Sequence, residues 1–251
     1  MARQRADLIK KLSRRDRRIV DHVVRFRLST NEVLHQHFFP GQRANAVTKV
    51  TARLCQWAYL QKFPLVHPRS YLLPGPRAVQ ELGVPLTRTY PLGPQSLPSE
   101  YGVLAYGTRG AKLLARLTRA ELKERYPFFE QAWLEAPHCW NRLREPACLE
   151  LVRVDLGGAA DHVARKCLAD IDARMQSGLC RRLIEQRRLR LVVVTGTTDK
   201  LAAISQSLEK RVWPNSMAIH LVSLPELLPL LPHCQGPARE YHVHHRRRED
   251  H

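Results

Sequence analysis

Residues 44–57, Ala44-Asn45-Ala46-Val47-Thr48-Lys49-Val50-Thr51-Ala52-Arg53-Leu54-Cys55-Gln56-Trp57, return to an apolar side chain every three or four positions. Val47, Val50, Leu54 and Trp57 therefore share one face of a helix. The opposite face carries Gln42, Asn45, Thr48, Lys49, Ala52 and Gln56. Hydrogen-bonding side chains, one cation and a small residue that permits close approach are what a helix laid into a major groove requires. Two shorter helical periods come first. Ser13 and Asp16 read as a capping box ahead of Ile19, Val20, Val23 and Val24. Ser29 and Glu32 read as another, ahead of Val33, Leu34, His37 and Phe38, and Pro40-Gly41 then breaks the chain.

Downstream, Leu60 to Val66 and Tyr71 to Leu73 read as short strands around His67-Pro68-Arg69-Ser70, a turn that offers Arg69 to a phosphate. Three helices followed by a hairpin predict a winged helix-turn-helix over residues 13–83. Gln42, Asn45, Thr48 and Lys49 are its expected base-reading residues. Arg14, Arg15, Arg17, Arg18, Arg43, Arg53, Lys62 and Arg69 are its expected phosphate contacts.

An ordinary three-helix core with a solvated face would carry the same stripes, so charge decides between the two. The 251 residues hold 41 Lys+Arg against 23 Asp+Glu, a formal net charge of +18. Residues 1–27 alone hold ten Lys/Arg and three Asp. Such an excess favours a polyanionic partner. Double-stranded DNA fits better than a membrane, because no apolar run approaches the roughly 20 residues needed to span a bilayer. The arginine-rich beginning also lacks the apolar core of a secretory signal. Six scattered cysteines without a Cys-x-x-Cys pair argue against a zinc ribbon or a disulfide framework, and fit a reducing cytoplasm. Adjacent residues rarely hold one ion together, so His138-Cys139 and His233-Cys234 predict no metal site.

Composition divides the chain into a basic arm (1–12), the DNA-binding domain (13–83), a Pro-rich linker (84–99), an α/β domain (100–232) and a basic tail (233–251). Tyr101 to Tyr106 read as a strand, Gly110 to Leu117 as a helix, and Thr118 with Glu121 as a capping box. Beyond Cys148 the order is strand, helix, helix, strand, helix, strand and a last leucine-rich helix. The strand Leu189 to Thr195 is an apolar run suited to burial on both faces. This order predicts a largely parallel sheet with covered faces.

Signals for catalysis are sparse. Gly196-Thr197-Thr198-Asp199-Lys200 lacks the spacing of a phosphate-binding loop and reads as a helix cap. Metal-dependent cleavage has three candidate residues: Asp155, Lys166 eleven positions later, and Glu150. Two carboxylates on one strand must stand two residues apart to face the same way. That position is Arg153, a cation.

The two halves together resemble the replication-relaxation family of plasmids and integrated mobile elements. The likeness lies in Arg15-Asp16-Arg17-Arg18-Ile19, Leu28-Ser29-Thr30-Asn31-Glu32-Val33-Leu34, Ala52 to Leu60, and the wing strand Tyr71-Leu72-Leu73. In the second half, Asp155, Gly157 and Lys166 match an acidic-x-Asp-x-Gly strand with a lysine on the next helix, and Leu191 to Thr195 match the later apolar strand. Arg153 stands where that pattern has its first acid. The resemblance implies a winged helix joined to a degenerate restriction-endonuclease-like core, in a cytoplasmic, nucleoid- or plasmid-associated bacterial protein. It implies binding to DNA in replication, transfer or transcriptional control; with Arg153 in place of the acid, neither cofactor nor catalysis is expected. The α/β half would serve a homodimer or dock replication or conjugation proteins. The alternatives are a Mg²⁺-dependent nuclease using Asp155 and Lys166, and a transcriptional regulator unrelated to replication.

Overall fold

Ser13 starts the first helix, α1 (Arg14–Phe26), by accepting a hydrogen bond from the Asp16 amide at 3.1 Å, and Asp16 reaches back to the Ser13 amide. The computed structural model describes residues 12–110, 113–143 and 146–231. Most of the arm and the whole of the tail, with His233 and Cys234, therefore lie outside the described residues. α1 ends at Arg27 in the left-handed region, φ 70°, and the chain turns into β1 (Ser29–Thr30).

The next helix, α2 (Asn31–Phe38), is capped one residue later than expected. The Thr30 hydroxyl accepts from the Val33 amide at 3.3 Å. Ser29 pairs with Leu72 in the sheet, and its buried hydroxyl lies 3.1 Å from His22 Nε2, so it is unavailable as a cap. α3 (Ala44–Gln56) buries Val47, Val50 and Leu54. Trp57, expected on the same stripe, is instead the C-cap, half-buried beside the Arg53 guanidinium.

β2 (Leu60–Pro64) and β3 (Ser70–Pro74) form an antiparallel hairpin, and β1 adds to β3, giving the order β1-β3-β2. Gly75 follows, with space for no other residue: a Cβ there would lie 2.2 Å from the Ala58 carbonyl oxygen. α4 (Pro76–Glu81) completes this half.

The proline-rich residues 84–99 are mostly exposed, with a few local anchors. They form a 3-10 turn (Leu86–Thr89) and lead into α5 (Ser96–Gly107). Thr89 is buried, and the Leu92 amide donates to the Tyr71 hydroxyl at 3.2 Å. Tyr101 to Tyr106 lie inside α5, correcting the expected strand. A short apolar run fits a buried helix as well as a buried strand, and α5 is covered on almost every side. Residues 110–117 likewise carry no described helix; Ala115–Arg116 are a short strand, β4.

After α6 (Arg119–Arg125), capped by Thr118 and Glu121 as expected, come α7 (Gln131–Glu135), β5 (His138–Asn141) and β6 (Cys148–Val154). Then follow α8 (Ala160–Met175), α9 (Gly178–Glu185), β7 (Leu189–Thr195), α10 (Thr198–Glu209) and β8 (Ala218–Ser223). Residues Pro225–Leu230 form a 3-10 helix, not the capped leucine-rich helix expected; Pro225 and Pro229 supply no N–H for longer-range bonding.

The second sheet has the order β4-β5-β6-β7-β8. β6, β7 and β8 are parallel, whereas β4 and β5 extend the sheet antiparallel. Leu149, Leu151, Leu191 and Val193 on one face meet Cys167, Ile171, Ile184 and Ile204 of the crossover helices. Val152, Val192 and Val194 on the other face pack with Tyr101 and Leu104 of α5, and also with Phe26, Leu28, Tyr71 and Leu73. One apolar cluster thus joins the two halves of the chain.

Polar bonds reinforce that seam. Arg25 reaches Glu121 at 2.6 Å and the Arg116 carbonyl at 2.8 Å. Glu100 binds both Arg27 (3.1 Å) and Arg116 (2.6 Å), and Arg116 also donates to the Phe26 carbonyl. Burial pushes the Glu100 carboxyl up, but the two guanidiniums outweigh it and the net shift is downward. Among the described residues no helix is long and apolar enough to cross a membrane.

Candidate nucleic-acid interface

The helical phase of α3 decides which of its side chains face outward. With Val47, Val50 and Leu54 in the core, Asn45, Thr48, Lys49, Ala52 and Gln56 are all exposed. Lys49 and Arg43 form no ion pair among the described residues. Gln42 is exposed but precedes the helix; its carbonyl is bonded by His35 Nε2 at 2.7 Å. The usable face is therefore Asn45, Thr48, Lys49, Ala52 and Gln56, with Arg43 as the N-cap at its start.

The surrounding cations divide into two groups. Arg14, Arg17, Arg18 and Lys62 are exposed. Arg15 lies 4.4 Å over the Phe39 ring, and Arg18 5.5 Å over Phe38, which steadies both guanidiniums. Arg53 is half committed: its Nη2 binds the buried Asp16 carboxylate at 2.8 Å, tying α3 to the start of α1. Arg69, at the hairpin turn, is half-buried, and its charge favours ionisation of the Tyr101 hydroxyl on α5.

The residues considered for metal chemistry fall in two places. Asp155 and Lys166 line the same cleft, about 500 Å³, at the end of β6. Asp155 spends one oxygen on the Gly157 amide at 3.1 Å, a helix-entry turn. Arg153 also lines this cleft and donates to Asp170 on α8, which binds Arg174 as well. Glu150 is on the other face of the sheet and wholly buried. It accepts from Tyr106 (2.7 Å), Asn141 (2.9 Å) and Arg190 (3.3 Å), and with burial it pushes the Tyr106 hydroxyl pKa up. Asp155 and Glu150 are thus kept apart by the sheet. Among the described residues no three His, Cys, Asp or Glu side chains are grouped to hold a metal ion.

His138 and Cys139 alternate across β5 as strand neighbours do. Burial lowers the His138 pKa to about 3, with the Arg174 charge adding to it, and raises that of Cys139 to about 12. Spacing along the chain gave no sign of the seam residues Arg25, Glu100, Arg116 and Glu121, because each partner lies on a different element. Comparison with family models, with curated proteins and with solved structures finds no match to this chain.

Proposed function

We propose that this protein binds duplex DNA without cutting it. The observation that carries this is the exposed face of α3: amide, hydroxyl and amine groups around Ala52, on a helix whose opposite side is locked into a core. The order helix, strand, helix, helix, hairpin with sheet order β1-β3-β2 supports a winged helix. In this reading α3 enters the major groove and Lys62 on the hairpin meets phosphate beside it. Arg14, Arg17 and Arg18 extend the cationic surface. The mixed sheet, with α8 and α10 as crossovers, supports a degenerate nuclease-like scaffold that docks a second copy or a partner protein. The service performed is that of a mobile-element protein in replication, transfer or transcriptional control.

If about six phosphates are neutralised, affinity falls about 10³-fold between 50 and 200 mM salt. Anisotropy with labelled duplexes checks this; a flat salt response overturns it. Asn45→Ala with Lys49→Ala is expected to erase preference between duplex sequences, whereas Lys62→Ala weakens all of them alike.

One observation favours a second reading: Asp155 and Lys166 share a cleft. Incubating supercoiled plasmid with Mg²⁺ or Mn²⁺ tests it. Nicking that Asp155→Ala abolishes establishes a nuclease and displaces the non-catalytic reading.

A further inference from the structure

The seam between the two halves is not filled along its whole length. A cleft of about 340 Å³ opens between α1, the residues entering β4, and β5. That volume suits a small organic ligand. No residue of α3 lines it.

Its charge is unbalanced. Four guanidiniums line it, those of Arg18, Arg25, Arg125 and Arg142, against the carboxylates of Asp21 and Glu121. Both carboxylates are drawn to Arg25, at 3.8 Å and 2.6 Å. Arg18, Arg125 and Arg142 are exposed and have no carboxylate partner among the described residues. A planar guanidinium matches two phosphate oxygens at once, so three converging on one cleft favour a phosphate over a lone carboxylate.

The remaining wall is apolar and aromatic. Trp140 is half-buried with Arg125 5.5 Å over its ring, and Leu113, 43% exposed, stands in the same cleft. An inorganic anion would leave this surface wet. A base stacked there covers it, the arrangement by which cationic grooves hold unpaired strands.

We propose that this cleft binds a nucleotide unit, its phosphate held by Arg18, Arg125 and Arg142 and its base set against Trp140. The site lies off α3, shares only Arg18 with the proposed duplex surface, and stands whether or not that surface binds DNA. The nucleotide comes either from an unpaired strand or from the free pool.

The full-length protein is titrated with labelled oligothymidylate and, separately, with thymidine monophosphate, following anisotropy and tryptophan fluorescence. Binding with quenched fluorescence is expected, and Trp140→Phe is expected to remove the quenching while binding persists. Arg125→Glu with Arg142→Glu is expected to weaken oligothymidylate more than about tenfold and leave duplex affinity unchanged. Both substitutions fall on exposed side chains of a cleft that no residue of α3 lines. Binding of both probes with the same loss supports the site and identifies a free nucleotide; binding of the oligomer alone supports it and identifies a strand. Three results overturn it: no response to either probe, equal loss of duplex and oligothymidylate affinity, or displacement of the oligomer by a glutamate-rich peptide of matching charge.

Discussion

His22 lies in α1 with its ring 4.8 Å from Phe26 and 5.4 Å from Phe38. Burial lowers its pKa to about 3, and the neighbouring His37 and Arg25 charges add to the effect. The unfolded chain takes up this proton near the ordinary value of 6.5, whereas the native chain does not. Stability is therefore complete above about pH 6.5 and is lost as pH falls toward 3. The contribution lost by pH 4.5 amounts to about 3 kcal/mol. His138 acts in the same direction. Glu100 and Glu121, with lowered pKa values, add their loss only below about 4.5. His22→Gln removes one titration and keeps a group to face Ser29. Its urea midpoint is expected to vary less between pH 7 and 4.5 than that of the wild type. An unchanged slope would show that His22 is not the titrating group.

Single residues also show where the site was legible. Asn45, Thr48 and Lys49 are exposed where helical phase puts them, opposite Val47, Val50 and Leu54. Arg53 carries its charge several bonds from the backbone, where Asp16, 37 positions away, claims it.

At the scale of elements, the start of α2 separates two adjacent hydroxyls that local pattern treats alike. Thr30→Ala removes only a cap and is expected to cost about 1 kcal/mol. Ser29→Ala takes the partner from buried His22 Nε2 and is expected to cost about 1–3 kcal/mol. Urea denaturation of the two variants checks this ordering; a larger loss from Thr30→Ala contradicts it. Helices with one wet face, α1 and α3, were legible from their period. β7 was legible from its unbroken apolar run. α5 was not, because burial all round erases the alternation that separates helix from strand.

For the whole molecule, the seam makes the two halves one mechanical unit. Glu100 sits between Arg27 and Arg116, with side-chain exposures of 14%, 32% and 11%. Removing the carboxylate strands the Arg116 charge in a mostly dry site, so Glu100→Ala is expected to cost about 3 kcal/mol. Because Phe26 and Leu73 share a cluster with Val152 and Val192, both halves are expected to unfold together. Circular dichroism and hydrogen exchange in α3 are expected to report one midpoint in the wild type. Separate transitions there would show that the apolar joint does not couple them. The same rigidity holds Arg18 of α1 across from Arg125 and Arg142, which face one another only after the halves pack.

Periodicity and caps by themselves determined the helices α1 to α3, the hairpin and the strands β6 to β8, and composition determined the net charge of +18. These properties depend on neighbours within a few residues, or on none. Tertiary structure alone decided that α5 is a helix and that β4 and β5 extend the sheet antiparallel. It also decided which arginines are tied to carboxylates, as Arg53 is to Asp16 and Arg116 to Glu100. The physical reason is reach: a long charged side chain, or a wholly buried segment, takes its state from partners that sequence distance conceals.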